Sequence, residues 1–132
     1  MKYPFLTKWF DERSFQKRQA DMMLVQKKYP SRIPIVVGPA SESAPAINAN
    51  KFLVPGEITA AEFLQAVRMR VPITPQTALF LFVIQIDGKE VEEKTTLLTS
   101  STLLANVYKQ NKSYDGFLYV LYDLENAFGC SC

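Results

Sequence analysis

The residues able to do chemistry in this chain are few, and the reactive ones lie at its end. Its 132 residues include no histidine. That excludes Ser–His–Asp and Cys–His catalysis, imidazole acid–base chemistry and histidine-ligated zinc. Both cysteines, Cys130 and Cys132, fall in the last three residues. They build neither a disulfide framework nor a four-cysteine metal site. The G-x-x-x-x-G-K-S/T and G-x-G-x-x-G phosphate loops are absent from the sequence. Catalysis without histidine would need paired carboxylates or a buried lysine. The acidic residues lie mostly in turns and in residues 87–93. The chain is therefore expected not to be an enzyme, and to need no metal and no cofactor.

The charge is unevenly placed. Residues 1–35 carry Lys2, Lys8, Arg13, Lys17, Arg18, Lys27, Lys28 and Arg32 against Asp11, Glu12 and Asp21, while the whole chain nets only +2. A balance that small points away from nucleic acid. The basic N-terminal part can steer acidic partners or anionic lipid, or can simply be a solvated helix face. The longest apolar run, Ala78 to Ile84, is far below the roughly 18 residues of a membrane span. The first residues have no secretory pattern, so a cytoplasmic protein is expected.

The elements that must position any site follow from periodicity and punctuation. Residues 4–12 predict a short helix. Phe15, Met22, Val25 and Tyr29 form one stripe of an amphipathic helix that Ser14 caps and Pro30 stops. Arg32 to Gly38 reads as a strand, with Pro34 marking an edge or a strand start. Residues 38–50 read as a loop and Lys51 to Val54 as a second strand. Thr59 and Glu62 form a capping box that opens a helix over 59–70. Leu79 to Ile86, almost wholly apolar, predicts a strand buried on both faces and central in its sheet. Residues 87–98 read as a turn and a polar excursion, Ser100 to Tyr108 as a short helix, and Phe117 to Tyr122 as a last strand. Two strands, a helix and two more strands is the order of an α+β, ubiquitin-like β-grasp with a four-stranded mixed sheet. The two additional N-terminal helices are expected on the sheet's other face.

Four stretches carry a family resemblance: Lys27-Lys28-Tyr29-Pro30-Ser31-Arg32-Ile33-Pro34, Lys51-Phe52-Leu53-Val54-Pro55, Asp115-Gly116-Phe117-Leu118-Tyr119 and Phe128-Gly129. In this order and spacing they resemble the ubiquitin-like autophagy modifiers, the group of the microtubule-associated protein light chains and GABA-receptor-associated proteins. The likeness runs from about Phe15 to Gly129. It implies a helical extension over 1–29 packed on the domain, a β-grasp domain over 30–122, and a conjugation tail over 123–132 with a removable remnant, 130–132. The polar stretch before the last helix is longer here than in most members, which leaves the path of residues 84–100 open.

The resemblance implies two sites. The first is the edge of the Lys51–Val54 strand, which would accept an extended peptide by β-augmentation. The peptide would carry an aromatic, two variable residues and an aliphatic. Asp21, Val25, Pro34, Lys51, Leu53 and Phe117 would line its aromatic pocket. Phe52, Val54, Pro55, Ile58, Phe63 and Val67 would line its aliphatic pocket. The same apolar residues, Val54 and Val67 above all, are also readable as core. Ala49 stands where members often carry a lysine, which would weaken partners flanked by acidic residues.

The second site is the tail. A cysteine protease would cut after Gly129, next to Phe128. Activating and conjugating enzymes would then pass the glycine carboxylate to the amine of phosphatidylethanolamine. Glycine suits this, since no Cβ hinders its carbonyl. Cargo receptors with the aromatic-x-x-aliphatic motif would be the partners at the forming autophagosome membrane, and tubulin or anionic membrane the partners of the basic N-terminal helices. Three readings stay open: conjugation to lipid, conjugation to a protein lysine as in a sister modifier, and an unconjugated peptide-binding adaptor. The adaptor could be prenylated, because Cys130-Ser131-Cys132 resembles the doubly prenylated end of small vesicle-traffic GTPases.

Overall fold

The computed structural model describes residues 3–87 and 92–124. In chain order the elements are α1 (Pro4–Glu12), α2 (Phe15–Lys28), β1 (Arg32–Pro39), β2 (Lys51–Pro55), α3 (Ala60–Arg68), β3 (Leu79–Asp87), β4 (Glu92–Leu97), α4 (Leu104–Asn111) and β5 (Leu118–Leu124). Local signals set most of the ends. Ser14 Oγ accepts from the Lys17 amide at 3.2 Å, and α2 stops two residues before Pro30. Thr59 and Glu62 close the expected capping box at the start of α3.

The strands form one mixed sheet in the order β2-β1-β5-β3-β4. β1 and β5 run parallel, and every other pairing is antiparallel. Alternating residues separate two apolar layers. On one face Ile33, Ile35, Phe52, Val54, Leu81 and Val120 pack against Phe63 and Val67 of α3 and Leu104 and Val107 of α4. On the other, Val36, Ile84, Tyr119 and Leu121 pack under Leu6 and Trp9 of α1, with Met22 of α2 at the margin. Burial on both faces explains why β1 and β5 read as continuous apolar runs.

Four expectations are corrected. The sheet has five strands, not four: residues 92–97 pair with β3 from Asp87↔Glu92 to Phe82↔Leu97. The run Glu-Glu-Lys-Thr-Thr has no apolar alternation because an edge strand is kept charged and polar, which hid it. The central strand is β5, while β3 is internal but lies one position off centre. The last helix starts at Leu104 rather than Ser100. The carbonyls of Ser100 and Thr102 instead accept from Ala61 N and Ala60 N at the head of α3. β5 also runs to Leu124, pairing Asp123 and Leu124 with β3 beyond the expected start of the tail.

Two glycines are fixed by close approach. Gly116 has φ +95°, and a Cβ there would lie 2.4 Å from Met22. A Cβ on Gly38 would lie 2.3 Å from the Phe5 ring of α1.

Candidate peptide-binding edge and conjugation tail

Among the described residues β2 pairs only with β1, so its outer side is an edge. The ladder decides which backbone groups that edge offers. Val37 N donates to Asn50 O at 2.8 Å. Hydrogen-bonded and non-hydrogen-bonded pairs alternate in an antiparallel ladder. With the observed register, Ile35↔Phe52 and Ile33↔Val54 are then hydrogen-bonded pairs. Lys51 and Leu53 stand between them, with N–H and C=O directed away from β1. Pro34, directly opposite Leu53, loses nothing by lacking an N–H there. The Leu53 carbonyl accepts only a long 3.4 Å contact from Arg32 Nη1.

The side chains divide between the two faces of the sheet. Lys51 and Leu53 lie on the α2 side with Pro34; Phe52 and Val54 lie on the α3 side. Of the aromatic-pocket set, Pro34 and Phe117 are buried, Asp21, Val25 and Leu53 half-buried and Lys51 exposed. Lys51 Nζ stands 3.9 Å from Asp21 Oδ2. That ion pair is open to solvent and contributes little to stability.

Burial separates the aliphatic-pocket set differently. Phe63 and Val67 are 0% exposed, and Phe52 and Val54 are also core residues. The Phe52 and Phe63 rings meet edge to face at 5.5 Å, and the Arg70 guanidinium covers Phe52 at 4.3 Å from its ring centroid. Only Pro55 and Ile58 of this set are half-exposed. In this packing Phe63 and Val67 form a floor beneath the edge rather than an open wall.

Behind the aromatic set lies a buried network with no signal in the sequence. Arg18 Nε donates to Asp115 Oδ2 at 2.8 Å, and its Nη groups donate to Arg13 O at 2.6 Å and Tyr114 Oη at 2.8 Å. Tyr119 Oη also donates to Asp115, whose other oxygen accepts from Phe117 N at 3.0 Å. Every oxygen of a fully buried carboxylate is thus engaged, as such a charge requires. Burial first, then the Asp115 charge and hydrogen bond, pushes the Tyr119 phenol far above its ordinary value. Burial and Asp115 also raise Tyr108, which donates to Gly116 O at 2.7 Å. The network holds α2 against the start of β5 and so fixes the α2 wall of the edge.

Phe128, Gly129, Cys130 and Cys132 lie outside the described residues. Among those described, no cluster of histidine, cysteine, aspartate or glutamate could hold a metal, and no helix is long and apolar enough to cross a membrane.

The chain matches the family described as "Autophagy protein Atg8 ubiquitin like" over residues 17–129. The chain belongs to the Atg8 ubiquitin-like family. It is 37% identical to Autophagy-related protein 8A of Oryza sativa subsp. indica over 119 residues, covering 89% of this chain and 92% of that one. It is 36% identical to Autophagy-related protein 8 of Mycosarcoma maydis over 120 residues, covering 90% and 93%. The crystal structure of Trypanosoma brucei ATG8 superposes with a TM-score of 0.75 at 31% identity, covering 89% of this chain and 94% of that one. As an Atg8 protein, the chain is an autophagy-related ubiquitin-like modifier.

Proposed function

We propose that this Atg8 protein works as a non-enzymatic tag. It is cut after Gly129, joined through that glycine to phosphatidylethanolamine on forming autophagosomes, and read there by cargo receptors whose aromatic-x-x-aliphatic segments add a strand to β2. The observation that carries the recognition half is the β2 edge. The backbone groups of Lys51 and Leu53 face outward there, with half-buried Leu53 on one side of the sheet and Pro55 and Ile58 toward the other. Strand addition takes its affinity from such backbone groups and its specificity from flanking pockets. The conjugation half rests on family membership, with the family match reaching Gly129 directly after Phe128. From Leu124 to Gly129 the chain spans at most roughly 18 Å, so a partner enzyme can take the glycine while the domain stays outside. The processing protease and the activating and conjugating enzymes are then its cytoplasmic partners.

The mass of the C-terminal peptide recovered from cells tests the reading. A peptide ending at Gly129 and carrying phosphatidylethanolamine supports it. An isopeptide-linked lysine supports the sister modifier, and prenylated Cys130 or Cys132 supports the adaptor. Gly129→Ala is expected to abolish both processing and conjugation, whereas a chain truncated directly after Gly129 is expected to be lipidated without the protease. A lipid-shifted band from Gly129→Ala would sink the proposal.

A further inference from the structure

The end of β5 stands beside a cleft. Leu124 pairs with Leu79, the first residue of β3. Leu79 also lines a hollow of about 730 Å³ between α3 and the segment that leads into β3. Leu64 of α3 and Met69 at its end form one wall; Ile73, Pro75 and Ala78 form the other. Met69 is 88% exposed. The one charged residue lining the cleft, Arg68, ties the two walls together. Its Nη1 donates to Thr77 O at 2.7 Å, and its Nη2 donates to Thr74 O and Pro75 O at 3.2 Å each. The cleft is therefore preformed, and with its one cation engaged it offers mainly apolar surface.

On the reading of Gly129 as the residue cut and conjugated, we propose that Phe128 of the chain's own tail seats in this cleft and shelters Gly129 until a partner enzyme draws the tail out. Position, reach and side all select the tail as occupant. The tail starts next to Leu79, which lines the cleft. The four steps from Leu124 to Phe128 span at most about 14 Å, and carried on in the β3–β5 register they bring Phe128 opposite Pro75. Tyr122 and Leu124 face the α3 layer. Residues two apart share a face of a strand, so the same alternation turns Phe128 toward α3 and the cleft. Phe128 is also the only aromatic residue beyond Leu124. A tethered segment meets the cleft at high effective concentration, which a second copy of the chain lacks.

The test uses the full chain with Cys132→Ser, so that a nitroxide on Cys130 reports where the tail lies. The label should broaden the methyl signals of Met69 and Ile73 strongly and those of Met23 and Leu53, on the other face of the sheet, little. Phe128→Ala should remove most of that difference, and Met69→Glu should remove it at Ile73. Met69 is exposed, so the melt of Met69→Glu should match the parent. Equal broadening at all four methyls overturns the proposal, as does broadening that survives Phe128→Ala. Broadening passed from a nitroxide-bearing chain to a second, isotope-labelled chain also overturns it, by making another copy the occupant. Only the undocked fraction is open to an enzyme, so the processing protease should cut Met69→Glu about threefold to tenfold faster than the parent. An unchanged rate overturns the sheltering of Gly129. The nitroxide reads docking without any cleavage, so a failure of docking and a failure of the conjugation reading appear in different measurements.

Discussion

Phe52 and Leu53 are sequence neighbours with opposite fates. Phe52 is packed between Phe63 and Arg70 inside the core, whereas Leu53 is half-buried on the other face of the edge strand. Replacing them one at a time therefore separates stability from recognition. Phe52→Ala should lose about 3–5 kcal/mol of stability through the cavity it leaves, seen as a lower denaturant midpoint. Leu53→Ala should keep the parent melt but bind an aromatic-x-x-aliphatic peptide about five- to thirtyfold more weakly in calorimetry. Equal melts for the two variants would contradict this division. Asp115 poses a different case, because it neutralises a buried guanidinium. Asp115→Ala should cost about 3–5 kcal/mol by stranding the Arg18 charge, and a urea titration within 1 kcal/mol of the parent would show the network to be dispensable.

The behaviour of the strands depends on which sides are left free. β2 is an edge whose outward groups belong to Lys51 and Leu53, so a docked strand must hydrogen-bond at those two positions. A peptide N-methylated at the residue that donates to the Leu53 carbonyl should bind about threefold to tenfold more weakly, the net worth of one such bond. Methylation one residue along should matter less, because N–H groups alternate in direction along a strand. Equal affinities at both sites would argue for docking through side chains alone. At the opposite end of the sheet, β4 pairs along the flank of β3, so the apolar β3 is not itself an edge strand.

Across the molecule the two apolar layers meet in the sheet, and tyrosines of β5 are buried in both. Burial pushes the Tyr122 phenol up to about 12, and Tyr119 and Tyr108 are raised as well. In the unfolded chain these groups ionise near pH 10. Below that pH both states keep the protons and the stability is fully present. Above it the unfolded chain releases protons that the folded chain retains, so stability falls as pH rises from about 10 toward 12. Chemical denaturation at a series of alkaline pH values should show this decline, and Tyr122→Phe should make it shallower. A midpoint flat to pH 11 would contradict the burial of these phenols.

Much of the fold and half of the candidate site were legible in the sequence, because they depend on residues close together in the chain. The Ser14 cap, the Thr59–Glu62 capping box and the stop at Pro30 each follow from interactions within a few residues. The missing histidine excluded whole classes of catalysis without any structure, and four short stretches sufficed for the family resemblance. Tertiary structure alone decided what depends on distant partners. It placed β5 at the centre, raised residues 92–97 from an excursion to a strand, and joined Arg18 to Asp115. It also packed Phe52, Val54, Phe63 and Val67 into the core, the second of the two readings their side chains allowed, and left Met23 and Leu24 facing outward. The physical reason is that an apolar side chain on a strand or helix carries no local mark of whether it meets another element or solvent. Only the closed sheet, with its register and its two covering layers, makes that choice.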